Sequence, residues 1–231
     1  MQNQQYHQFC PIAMAADILE PRWTMLILCE MFQGSARFTE IQRGVPSMSP
    51  GLLTKRLRDL EAKGMITRHE NDGNGQVSYV PTPMADELRT LIFQIGAWAH
   101  RNINPEVPRG HLDHRLLMWN IRRKIKAANL PRRKLVIQFI LKQEGIEDAN
   151  YWLIVKPDSE TDICSIDPKH DVDLFVTAQL QALTSAWMGH SSFAEEINAE
   201  RIILIGDQAM ARSLSQWLIR SSFAGVERVW A

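Results

Sequence analysis

Residues 47–68 read SMSPGLLTKRLRDLEAKGMITR. Ser49 followed by Pro50 predicts a helix start, with a hydroxyl to cap the first turn and a proline where a missing N–H costs nothing. Leu53, Leu57 and Leu60 recur at helical spacing, and Gly64 predicts the stop. The opposite direction on the wheel holds Gly51, Leu52, Lys55, Asp59 and Ala62. Thr54 and Arg58 lie on one shoulder and Arg56 on the other. Taken alone, such a face fits either plain solvation or close approach to DNA, so the flanking elements have to decide.

Upstream, PIAMAADIL (11–19) predicts a short helix ending before Pro21. A second helix follows in PRWTMLILCEMFQG, with Trp23, Leu26, Ile27 and Met31 inward and Gly34 as its stop. ARFTEIQRG predicts a third, with Phe38 and Ile41 inward and Gly44 as C-cap. Downstream the period falls to two: MITRHE and VSYVPT flank the turn cluster Asn71-Asp72-Gly73-Asn74-Gly75, a β-hairpin signature. Thr82-Pro83 then opens a long helix with an apolar stripe of Met84, Leu88, Leu91, Ile95 and Trp98. Three helices, a turn, a fourth helix and a two-stranded hairpin form the winged-helix arrangement. In that arrangement the fourth helix enters the major groove and reads bases mainly from its N-terminal residues. Ser49 and the first-turn N–H groups suit a phosphate, Gly51 lets the backbone approach, and Lys55 and Arg58 reach phosphates or guanine edges.

HRNINPEVPRGH carries breakers and reads as a linker, residues 101–111, between a mainly α domain (1–100) and an α+β domain (112–231). In the latter, LDHRLLMWNIRRKIKAAN reads as a helix and RKLVIQFIL, NYWLIVKP, DICSID and VDLFVTA as strands, with turn clusters KQEGIEDA, DSET and DPKHD between them. QLQALTSAWMG is expected as helix, RIILIG as strand, and DQAMARSLSQWLIRSSFA as a helix capped by Asp207. Two domains agree with the 231-residue length and 45% hydrophobic composition.

Formal net charge is zero, so any DNA affinity must come from local placement. The run from Arg115 to Lys134 (Arg115, Arg122, Arg123, Lys124, Lys126, Arg132, Arg133, Lys134) has no acid. It reads as a solvated face or as extra phosphate contacts. Cys10, Cys29 and Cys164 are widely spaced, which argues against a disulfide framework or structural zinc and fits a reducing cytosol. No leader or spanning segment is read, so a cytoplasmic protein with no membrane partner is expected. No nucleophile elbow, phosphate loop or HExxH is present, so neither an enzyme nor a cofactor is expected. His111 and His114 have i, i+3 spacing, but surface histidines of that kind are common, and no metal is expected.

Residues 8–100 resemble the HxlR-type winged helix-turn-helix regulators. The resemblance rests on Trp23, Arg37-Phe38, the run Ser49-x3-Leu53-Thr54-x-Arg56-Leu57, Leu60-Glu61, Gly64, Arg68, Tyr79 and Thr82. It implies a homodimeric transcription regulator that binds double-stranded DNA. Arg37, Ser49, Gly51, Leu52, Thr54, Lys55, Arg58 and Arg68 are the expected contacts, with the wing near the minor groove. It favours Leu88, Leu91, Ile95 and Trp98 as a dimer interface with residues 11–19 of a partner, and it places Cys10 where several family members sense oxidants or electrophiles. The chain departs from the family in having NDGNG where a wing proline is usual, and Ala85 where the closing helix usually starts with glycine.

More weakly, residues 125–222 resemble the sterol-carrier-protein fold, with Gly189, Gly206 and Asp207 as the main fixed points. That resemblance implies an apolar small-molecule effector in a tunnel lined by Leu180, Leu183, Trp187, Met188, Phe193, Met210, Leu214 and Trp217. The same residues would equally fill a core. Two rival readings remain: a small-molecule carrier or enzyme whose winged helix serves protein interaction, and a regulator working through Cys10 alone.

Overall fold

The computed structural model describes residues 6–70, 75–103 and 112–229. It divides into two units, Met1–Trp98 and Ala99–Ala231. The turn residues 71–74 and most of the expected linker, with His111, lie outside the described residues.

In the first unit α1 (Pro11–Leu19), α2 (Thr24–Phe32) and α3 (Phe38–Gly44) precede α4 (Pro50–Ala62). Strands β1 (Ile66–Glu70) and β2 (Val77–Pro81) follow, then α5 (Pro83–Asp86) and α6 (Leu88–Asn102). Each boundary has a local cause. The Ser49 hydroxyl accepts from the Leu52 N–H at 3.4 Å to start α4, and Gly64 takes φ +68 to end it. The Thr82 hydroxyl accepts from the Ala85 N–H and donates to the Gly64 carbonyl, fastening α5 to the turn that closes α4. The hairpin pairs Ile66 with Pro81 through Glu70 with Val77, and the Tyr79 N–H bonds back to the Ala36 carbonyl.

Leu53, Leu57 and Leu60 are buried among Ile27, Leu28, Met31, Ile41, Met48 and Met65. Each contributes roughly 1.5–3 kcal/mol by leaving water. Three details differ from the sequence reading. Leu26, expected inward, is exposed, while Leu28 is buried. Gly44 does not cap α3; it is the last helical residue, and its missing side chain makes room for the buried Glu30 carboxylate, which accepts from the Ser35 hydroxyl at 2.8 Å. The closing helix is broken at Glu87 into α5 and α6.

The second unit places α7 (His114–Arg123) and a 3-10 turn (Ala127–Asn129) before a five-stranded sheet. The strands are β3 (Leu135–Gln143), β4 (Ile146–Val155), β5 (Asp162–Cys164), β6 (Leu174–Gln179) and β7 (Ile202–Gly206), in the order β5-β4-β3-β6-β7. Only the central β3–β6 pair is parallel. A parallel pair needs a crossover, and the chain makes it by way of β4 and β5. Helices α8 (Leu180–Met188), α9 (Phe193–Asn198), α10 (Gln208–Arg212) and α11 (Leu214–Trp217) follow β6 and β7.

Alternate residues of β3 (Leu135, Ile137, Phe139, Leu141), β4 (Tyr151, Leu153, Val155) and β6 (Leu174, Val176, Ala178) pack with helix residues into one core. Burial pushes the Tyr151 phenol up to about 12, and its oxygen lies 2.8 Å from His114 Nδ1. The expected helix over 112–129 stops at Arg123, because Ile125 leaves it to bridge Leu218. The helix expected from Asp207 breaks at Ser213, and α9, in a stretch to which the sequence analysis assigns no element, is fixed by a capping box of Ser192 and Glu195. Acidic Glu147 and Asp148, read as turn, belong to β4; the hairpin turns at Gly145, φ +75.

Gly189 ends α8 at φ +82, and a Cβ there would sit 2.5 Å from the Ala224 carbonyl. Gly189→Ala is therefore expected to lower stability by at least about 1–3 kcal/mol from backbone strain alone, read as a shifted urea midpoint.

Candidate nucleic-acid interface

Burying Leu53, Leu57 and Leu60 fixes the rotation of α4 and so decides what it presents. Ser49, Gly51, Lys55 and Arg58 are exposed, and Leu52 and Thr54 half-buried. Among the described residues neither Lys55 nor Arg58 has a hydrogen-bond or ion-pair partner, so both charges are free for a polyanion. An added Cβ at Gly51 would meet nothing within 4 Å. No internal packing therefore requires glycine at that position. The Thr54 hydroxyl already donates to the Pro50 carbonyl at 3.0 Å, which leaves it only as an acceptor.

The remaining expected contacts lie apart from this cluster in chemistry. Arg68, on β1, is exposed but paired with Glu70 at 2.9 Å. Arg37 precedes α3 and stands 4.0 Å from Glu40, whose carboxylate accepts from the Ala36 and Arg37 N–H groups. A phosphate would have to compete with a carboxylate at both.

Two basic residues on the other side of α4 are spent on holding it. Arg56 donates to the Arg22 carbonyl at 3.2 Å and to Asp59 at 3.0 Å, and Lys63 donates to the Asp17 carbonyl. These ties to α1 and to the turn after it were missed in the sequence. Carbonyl acceptors carry no residue signature, so no spacing could have shown them.

The expected dimer stripe is a real surface feature. Leu91, Ile95 and Trp98 are 53%, 48% and 60% exposed, with Met84 exposed on α5 and Leu88 half-buried. Phe9, Ile12 and Met14, at and before the start of α1, are exposed too. Cys10 is half-buried at the N-cap of α1, with no side-chain cap bond.

In the second unit the basic run is largely occupied. Arg115 pairs with Asp113, Arg122 with Glu160, Arg132 with Asp158 and Arg133 with Asp173, while Lys134 meets His170 and Lys124 meets Ser222. Arg122 and Arg123 also lie over the Trp119 ring. Acids distant in sequence thus answer a run that looked unopposed. Leu180, Leu183, Phe193, Met210, Leu214 and Trp217 are buried and fill the core between sheet and helices, with Trp187 packed at its margin and Met188 half-buried. Leu180 also borders a cleft of about 700 Å3 lined chiefly by polar residues, among them Lys142, Glu144, Asp148 and Gln179. Among the described residues no group of three or more His, Cys, Asp or Glu is placed to hold a metal, and no helix is long and apolar enough to cross a membrane.

Comparison with known proteins finds a family and relatives that match part of the chain. Residues 18–107 match the family described as HxlR-like helix-turn-helix. The HTH-type transcriptional regulator YvaP of Bacillus subtilis is 33% identical over 100 residues, which span 42% of this chain and 93% of the relative. YodB, an HTH-type transcriptional regulator of the same organism, is 30% identical over 98 residues, 42% of this chain and 88% of the relative. Among solved structures, the redox regulator HypR in its reduced form is 28% identical, covering 39% of this chain and 90% of that one, with a TM-score of 0.37.

Proposed function

Because this chain belongs to the HxlR-like helix-turn-helix family, we propose that it is a homodimeric transcription regulator whose helix α4 reads the major groove of its operator. The observation that carries this reading is the pair of cations, Lys55 and Arg58, without a partner among the described residues, beside an unencumbered Gly51 on a helix whose rotation the core has fixed. Phosphate contacts from the two cations supply affinity, and the first turn approaches the base edges. Arg37 and Arg68 are second-rank contacts, available once Glu40 and Glu70 release them.

The exposed stripe of Leu91, Ile95 and Trp98 supports a two-fold partner. Two copies of α4 would then address half-sites about 34 Å apart.

Fluorescence anisotropy on the DNA upstream of the chain's own gene, across a salt series, tests the reading. Lys55→Ala with Arg58→Ala is expected to weaken binding at least 10-fold. The same change is expected to flatten the salt dependence by about 0.9 in log–log slope for each phosphate that is no longer neutralised. Gly51→Gln is expected to unfold at the same or a higher temperature, since a side chain fits there and helices disfavour glycine, yet to bind at least 10-fold more weakly. Leu91→Glu with Ile95→Glu is expected to lower affinity for DNA carrying two half-sites more than 10-fold and to leave a single half-site unaffected. Equal binding of all variants, and of scrambled DNA, would sink the groove-reading role of α4.

A further inference from the structure

The two edges of the five-stranded sheet are unlike. At one edge β5 is three residues long and lies amid Glu160, Asp162 and Asp167, so shortness and charge guard it against pairing. At the other, β7 reads Ile-Ile-Leu-Ile-Gly, with no charge, proline or bulge over five residues, and Ile203 and Ile205 are 45% and 62% exposed. Such an edge is a template for another strand.

The hydrogen-bond phase of β7 can be read from its ends. The Gln179 N–H bonds to the Arg201 carbonyl and the Asp207 N–H to the Asp173 carbonyl. Antiparallel pairs alternate between bonded and non-bonded, so Ile203 and Ile205 spend their backbone groups on β6. The Arg201 carbonyl and the Asp207 N–H point the same way, while the Arg201 N–H bonds to the Glu196 carbonyl and the Asp207 carbonyl accepts from the Ala211 N–H. Ile202, Leu204 and Gly206 turn theirs outward, and among the described residues those groups have no partner.

We propose that β7 is an interface on which a second copy of this chain seats its own β7, antiparallel, about a two-fold axis at Leu204. In this register Leu204 faces Leu204, Ile202 faces Gly206 and Ile203 faces Ile205, so every outward backbone group meets its complement and the four exposed isoleucine side chains gather on one face. Charge chooses this register over its neighbours, because Arg201 at one end of each strand falls opposite Asp207 at the other end of its mate. A shift of one pairing step in either direction sets Arg201 or Asp207 against isoleucine. Both groups have capacity to spare. Arg201 bonds Glu196 through Nε, and its side chain is 44% exposed. Asp207 caps α10 through Oδ1, at 2.8 and 3.0 Å from the Ala209 and Met210 nitrogens, which leaves Oδ2. The sheet would continue across the axis as ten strands. This interface belongs to the second unit alone and does not depend on DNA reading by α4.

Cross-linking in the full chain, with Cys10, Cys29 and Cys164 replaced by serine, tests the register. Ile203→Cys and Ile205→Cys chains, prepared separately, are mixed and oxidised. Residues facing each other in a non-bonded antiparallel pair have Cα atoms about 4.5 Å apart, within disulfide reach. The mixture is expected to yield a cross-linked dimer joining one chain of each kind, and either chain alone little or none. Cross-linking of either chain alone to the same extent, or none in the mixture, overturns the register. Amide exchange on the unaltered chain gives a measurement free of any folding defect. The Ile202, Leu204 and Gly206 amides are expected to exchange at least 10-fold more slowly at high than at low protein concentration, and equal exchange at both overturns the interface.

Discussion

Everything the first unit presents to its surroundings depends on the burial of three leucines. Leu53, Leu57 and Leu60 lie one helical turn apart, and their removal from water sets the azimuth of α4. Once that angle is fixed, the helix has no freedom over what it shows: a short, small-residue N-terminal turn and two long cations. Ser49 and Gly64 set where the helix begins and ends. The hairpin then follows at once, tied through Tyr79 to the loop before α3 and through Thr82 to the end of α4. The wing is therefore built onto α4, not attached as an independent element.

The second unit solves a different problem. Its central strand, β3, is apolar from Leu135 to Leu141 but for Gln138, and is flanked by an antiparallel neighbour on one side and a parallel one on the other. Helices α7 and α8 contribute to the core on one face of the sheet. Within the basic run, Arg122, Arg132 and Arg133 are each matched by an acid brought in from another part of the chain.

Local rules carried much of this into the sequence. Caps, glycine stops and the switch from helical to two-residue period made α1, α4, the hairpin and most strands legible, because each is decided by neighbours within a turn or a strand. What escaped was decided at a distance. Leu26 is apolar at core spacing, but the core closes over Leu28 instead. Gly44 looked like a stop, while its smallness serves the buried carboxylate of Glu30. Ile125 left its helix for Leu218, far along the chain. For the candidate interface, Lys55, Arg58 and Gly51 could be picked out by helical geometry, whereas the pairing of Arg68 with Glu70 depends on which side chains share one face of a strand. The apolar residues of α8 to α11 are the hardest case. A filled core and a ligand tunnel ask for the same side chains, and only their packing tells the two apart.

The ties made by Arg56 and Lys63 end on main-chain oxygens, those of residues 22 and 17. Any residue type at those two positions offers the same acceptor, so the side chains there are free to drift without loosening the helix. A displacement of the α1 backbone, by contrast, pulls directly on both cations. The mechanical connection between α1 and α4 is thus written in the backbone, where substitution does not reach it and movement does.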